Sequence, residues 1–79
     1  MPHIIVKMYT GRTAEQKKRL TEAITDCITK TLNLEERAVS ISIEEVDSKE
    51  WPEKVYRPDI LEKKATLVKK PGYPNPFER

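Results

Sequence analysis

One apolar stripe decides most of what this chain can become. Leu20, Ala23, Ile24, Cys27, Ile28, Thr31 and Leu32 recur at three- and four-residue spacing, while Lys17, Lys18, Glu22, Asp26 and Lys30 fall elsewhere. That period predicts an amphipathic helix. Thr13, with Gln16 three residues on, makes a capping box at its start, so the helix is expected over 13–32. A strand pattern flanks it on each side. His3-Ile4-Ile5-Val6-Lys7-Met8-Tyr9 is rich in β-branched and aromatic residues, and a strand is expected over 2–9. Val39, Ile41 and Ile43 alternate with Ser40, Ser42 and Glu44, the period-two signature of a half-buried strand, expected over 38–46. Strand, helix and strand make a βαβ unit with parallel strands and a right-handed crossover.

The last third is less regular. Trp51-Pro52 is expected to start a short helical turn running to about Arg57, with Pro52 at its first position. Pro58 then opens a second helix through Ile60, Leu61, Ala65, Leu67 and Val68, with Lys69 and Lys70 at its end, where cations suit the helix dipole. Residues 52–70 are therefore expected as a helical segment. Pro71-Gly72-Tyr73-Pro74-Asn75-Pro76 stops it, and the tail over 71–79 has no packing signal of its own. It is expected either to fray or to lie on a neighbouring subunit. The fold class expected is α/β (α+β), one domain over 1–79.

A chain of 79 residues buries only about 60% of its unfolded surface, so a lone subunit is marginal. Small folds escape that limit through disulfides, a metal or self-association. One cysteine, Cys27, gives no internal disulfide, and one cysteine with one histidine, His3, builds no structural zinc site. Self-association remains. Two βαβ units pairing side by side give a four-stranded sheet with helices on one face. Cys27, inside the apolar stripe, is expected in the core. Fifteen basic and thirteen acidic residues leave a charge of +2, too balanced to imply nucleic acid or membrane as a partner. No aromatic pair interleaves with basic residues on a strand, as an RNA-stacking platform requires. No apolar run approaches the ~20 residues of a membrane span, and Met1-Pro2-His3 lacks a signal-peptide pattern. A soluble cytoplasmic protein is the expectation.

Pro2 is the residue with chemistry to offer. An initiator Met followed by a small residue is removed by methionine aminopeptidases, which would leave Pro2 as a free secondary amine locked at a strand end. An α-amino group titrates near about 7.7–8.0, so a shift of roughly one unit makes it a base at neutral pH. An apolar pocket and a nearby positive charge both push in that direction. Such a base can take an acidic proton next to a carbonyl and return it to another atom, an isomerisation needing no metal or organic cofactor. Arg12, in the loop after the first strand, carries the guanidinium fork that suits a substrate carboxylate.

Pro2 followed by a hydrophobic strand, the Gly11-Arg12-Thr13-Ala14-Glu15-Gln16-Lys17 segment, the long helix and the Val39-to-Val46 strand together resemble the 4-oxalocrotonate tautomerase family. The resemblance covers about residues 2–51. Trp51 and Lys69-Lys70-Pro71-Gly72-Tyr73 look like its longer-chain branch associated with phenylpyruvate tautomerase activity, which tends toward dimers where the parent forms hexamers. The resemblance implies that Pro2 is the general base, that Arg12 binds a substrate carboxylate, and that Trp51 keeps the pocket apolar. It also exposes a departure. A second arginine that polarises the substrate's 2-oxo group corresponds here to Ser40, which donates one hydrogen bond and brings no charge. A monocarboxylate, such as an aryl or alkyl 2-oxo acid or its enol, is then the expected substrate in place of a dicarboxylic dienol.

Other readings stay open at this point. Lys54, Arg57, Lys63 and Lys64 read as a solvated face, with Arg57 the first choice if one of them replaces the missing cation. Tyr56 and Tyr73 are possible donors to an enolate oxygen. His3 reads as structural or surface, and Trp51 serves equally as a packing residue. A hydratase or dehalogenase acting on unsaturated acids through protonated Pro2 would need Glu44 or Glu45 to activate water. A non-enzymatic oligomeric module is the third possibility.

Overall fold

The computed structural model describes residues 1–78, which form two compact units: Met1–Glu45, and a second from Val46 onward. In the first, β1 (His3–Tyr9) leads through a loop into α1 (Ala14–Leu32), and a short 3-10 turn, Glu36–Ala38, leads into β2 (Ser40–Val46). The strands pair as a two-stranded sheet. The Ser40 N–H donates to the Pro2 carbonyl at 3.2 Å, so both strands begin at the same end and run parallel, as a crossover helix requires.

The capping box forms as the residues dictate. The Gln16 N–H donates to Thr13 Oγ1, and the Thr13 N–H donates to Gln16 Oε1, both at 3.0 Å. At the other end Asn33 takes the left-handed conformation, φ 55°, and its N–H returns to the Thr29 carbonyl. Gly11 has φ 114°, a backbone angle open to glycine and strained for other residues, and it turns the chain from β1 toward the helix.

The inward face of α1 is narrower than its apolar stripe. Leu20, Ile24 and Ile28 are half-buried together with Thr21, Thr25 and Thr29. These threonine hydroxyls donate to the carbonyls of Lys17, Thr21 and Asp26, which lets them sit against the sheet with their polar atoms satisfied. Ala23 and Cys27, expected in the core, are exposed, and Leu32 is 55% exposed. Two strands about 4.8 Å apart cannot cover the whole apolar arc of a helix roughly 10 Å across. Cys27 is therefore corrected from a core to a surface position of the single chain. Ile4, Val6 and Met8 of β1 and Ile41 and Ile43 of β2 are half-buried. On the opposite face His3, Ile5, Tyr9, Ser40 and Glu44 are exposed.

The second unit departs further from expectation. A π-helical segment runs from Pro52 to Leu61 straight through Pro58. Its start is α-like, with the Lys54 N–H on the Glu50 carbonyl at 2.9 Å, and its end is wide, with the Glu62 N–H on the Arg57 carbonyl at 3.0 Å. Proline has no N–H and would press its ring on the carbonyl four residues back, so widening the turn relieves the clash without ending the helix. The helix expected over 58–70 does not form. Only a 3-10 turn, Lys64–Thr66, follows, and Val68 is fully exposed. Over the described residues 71–78 the tail is not frayed either, and Arg79 lies outside them. Tyr73 and Phe77 pack on Tyr56, with ring centroids 5.8 and 6.4 Å apart, and the Arg57 guanidinium lies 4.2 Å above the Phe77 ring. A 13-residue helix would be about 20 Å long and would carry Tyr73 away from Tyr56. Closing the aromatic cluster outweighs helix propensity. Val55 and Tyr56 at its heart are 5% and 7% exposed, the buried hydrophobic residues among those described.

Candidate active site

Pro2 lies at the mouth of the sheet, half-buried, immediately before β1. Met1 in front of it is 97% exposed, which leaves it open to an aminopeptidase in the single chain. Ser40 is tied to this end twice: its N–H to the Pro2 carbonyl, and its Oγ to His3 Nδ1 at 2.7 Å. The Ser40 hydroxyl is thus engaged by a neighbour. His3, read from the sequence as structural or surface, is brought into the site's surroundings by that bond. The signal was available in the topology, since a parallel sheet pairing residue 2 with residue 40 sets residue 3 beside Ser40 on the outer face.

Arg12 sits at the other end. It lines a groove of about 230 Å³ with Met8, Gln16, Lys17 and Leu20. The groove is held by an ion pair between Lys17 Nζ and the Glu45 carboxylate, joined by the Gly11 N–H. These bonds, led by the one from Lys17, hold the Glu45 carboxyl below its ordinary value of 4.5. Seven residues of β1 at about 3.3 Å each separate Pro2 from this loop by roughly 20 Å or more. Pro2 and Arg12 of one chain therefore do not meet.

The lowered Glu45 value has a consequence for stability. A carboxyl depressed on folding stabilises fully above its unfolded pKa, and loses that contribution as pH falls through the folded value. Glu45→Gln is expected to melt below the wild type at pH 7 and to converge with it under acid conditions below the ordinary value of 4.5. Thermal unfolding followed by circular dichroism across pH 3–7 checks this; curves that stay parallel would remove Glu45 from the account of the loop.

In the second unit, Trp51 is half-buried and its indole N–H donates to the Tyr73 hydroxyl at 3.1 Å. Arg57, the first choice for a replacement cation, grips Glu53 through Nε and Nη2 at 3.1 and 3.2 Å, a contact that raises its own pKa and lowers that of Glu53. With Phe77 beneath it, Arg57 is committed within its own unit. Lys54 pairs with Glu50, and Lys63 with Asp59. Lys64 lines a cavity of about 460 Å³ with Tyr56, Ile60, Leu61, Leu67 and Lys70. Among the described residues, no helix is long and apolar enough to cross a membrane.

Comparison with known proteins bears on this arrangement. Residues 2–52 match the tautomerase family, described as "Tautomerase enzyme". A protein of Xylella fastidiosa, named "Probable tautomerase", is 40% identical over 73 residues, covering 92% of this chain and 89% of its own. Tautomerase PptA of Cronobacter sakazakii is 35% identical over 74 residues, covering 92% and 97%. Among solved structures, a 4-oxalocrotonate tautomerase isozyme from Methylibium petroleiphilum superposes with a TM-score of 0.60 at 35% identity, over 61% of this chain and 75% of that one. The βαβ fold, the long helix with its capping box and the near full-length similarity to PptA agree with the resemblance read from the sequence. The chain belongs to the tautomerase enzyme family.

Proposed function

We propose that the chain is a cofactor-independent keto–enol tautomerase acting on 2-oxo monocarboxylates such as phenylpyruvate, or on their enols, with Pro2 as general base once Met1 is removed. The observation that carries this reading is the half-buried proline at the mouth of the sheet in a chain of this family, with the exposed Met1 next to it. Arg12 binds the substrate carboxylate and Trp51 contributes an apolar wall. Residues 1–79 act as one tautomerase domain in a homo-oligomer, a dimer in the favoured form, located in the cytoplasm.

The length of β1 supplies the argument for assembly. A site that joins Pro2 to Arg12 must take them from two chains. Antiparallel pairing of β1 with its copy across a two-fold axis sets the start of one strand beside the end of the other. Each Pro2 then meets the partner's loop, and the sheet grows to four strands. The unit Met1–Glu45, with no buried hydrophobic residue and with Ile5, Tyr9 and Leu32 exposed, has apolar surface to bury in such an assembly.

Of Glu44 and Glu45, either of which a hydratase or dehalogenase would need to activate water, Glu45 is unsuited. Its carboxylate is bonded to Lys17 and Gly11 and held ionised, which makes it a poor base for water. The purified protein, offered phenylpyruvate, should interconvert keto and enol forms, followed by the enol's ultraviolet absorbance. Offered a 3-haloacrylate it should release no halide. Arg12→Ala should raise KM by about tenfold to a hundredfold, the worth of a charged hydrogen bond of roughly 1.5–3 kcal/mol. Halide release with no enol turnover would reverse the choice.

A further inference from the structure

A base at Pro2 needs a partner that stabilises the oxygen on which charge develops, and the following rests on that reading. We infer that His3, oriented by Ser40, is the hydrogen-bond donor to the substrate's 2-oxo oxygen, and that Ser40 itself does not touch substrate. The geometry is a closed ring across the two strands. Ser40 donates its N–H to the Pro2 carbonyl at 3.2 Å, and its Oγ meets His3 Nδ1 at 2.7 Å. His3 is peptide-bonded to Pro2, so the ring holds the imidazole at the strand end that carries the proline nitrogen. Which imidazole nitrogen carries the proton is set by the bond the other makes. A Ser40 hydroxyl that donates to Nδ1 leaves the proton on Nε2, a directed donor on an exposed side chain; this is the direction we infer for the 2.7 Å contact.

That donation also draws density from the ring and strengthens Nε2–H as a donor. In enolisation the Pro2 nitrogen takes the proton from carbon 3 and the C–H electron pair becomes the C2=C3 bond. The 2-oxo oxygen takes the charge against His3 Nε2–H and then a proton from solvent, while the prolyl ammonium releases its own proton to solvent and regenerates the free amine. Ketonisation runs the same steps backward. An Nε2–H donor supplies one hydrogen bond to the 2-oxo oxygen, which suits aryl or alkyl 2-oxo acids with a single carboxylate.

Three variants and one spectrum test this. An asparagine amide overlays Nδ1 and a glutamine amide overlays Nε2. His3→Asn keeps the bond to Ser40 and is expected to lose on the order of a hundredfold in kcat on phenylpyruvate with KM little changed. His3→Gln regains most of that loss. Ser40→Ala, which frees the ring, falls between them. The ¹⁵N imidazole shifts of the wild type report a proton on Nε2, and Ser40→Ala gives mixed tautomers. Full activity in His3→Asn, a loss confined to His3→Gln, or a wild-type proton on Nδ1 overturns the inference. Pro2→Ala in the same assay separates the two readings. Wild-type turnover there sinks the base itself, whereas a dead Pro2→Ala beside a fully active His3→Asn sinks only the donor.

Discussion

A preparation that keeps Met1 is expected to tautomerise phenylpyruvate at least about a hundredfold more slowly than the same chain beginning at Pro2, because a positioned general base contributes roughly 10²–10⁴ in rate. Acylation turns the proline nitrogen into an amide whose lone pair is delocalised into the carbonyl, and nothing is left to accept a proton. Met1 is 97% exposed in the single chain, so the fold of that chain does not depend on it. The comparison is therefore clean: same packing, same Arg12, one acyl bond different. Intact mass identifies the two forms, and decay of the enol absorbance gives their rates. Treating the Met-bearing form with a methionine aminopeptidase should restore turnover in step with the mass change. Equal rates before and after would mean that the chemistry lies elsewhere.

How far the sequence carries depends on which forces act locally. Thr13 and Gln16 cap α1 through atoms three residues apart, so the capping box was legible and forms as written. The two strands and the helix between them follow from period alone. Pro58 misled for the opposite reason: proline ends most helices, but here the turn widens around it. The tail misled because its order comes from Tyr73 and Phe77 closing on Tyr56, a contact between residues far apart in the chain that no local pattern records. Cys27 fell outside the core because the width of the sheet, and not the stripe, limits what the helix can bury. At the candidate site, Pro2 and Arg12 could be named from type and position. The bond between His3 and Ser40 needed the strand register.

Mixing two inactive variants is expected to restore activity. Pro2→Ala replaces the ring-locked secondary amine with a flexible primary one, and Arg12→Ala removes the carboxylate anchor, so each homodimer is expected to be crippled at both of its sites. If a site joins Pro2 of one chain to Arg12 of its partner, a mixed dimer carries one site with both groups intact and one with neither. Random exchange makes half the dimers mixed, each with half its sites working. The mixture should recover about a quarter of wild-type turnover, as two-fold symmetry of the interface demands. The exchange is made by unfolding both variants together and refolding them, and the mixed species is counted by native mass spectrometry with one variant isotopically labelled. The result discriminates because distance along β1 forbids the alternative within one chain: roughly 20 Å separates the two residues at about 3.3 Å per strand position. A site built from a single chain would instead leave the mixed dimers as inactive as their parents. Turnover that stays at the parental level while mixed dimers are abundant would therefore remove either Arg12 from the site or the shared interface from the fold's purpose. Arg12→Lys in place of alanine decides between them. Assayed as its own homodimer, it keeps the charge and loses the fork, so turnover between the wild type and Arg12→Ala retains the anchor and removes the shared interface, while turnover equal to Arg12→Ala removes Arg12 from the site.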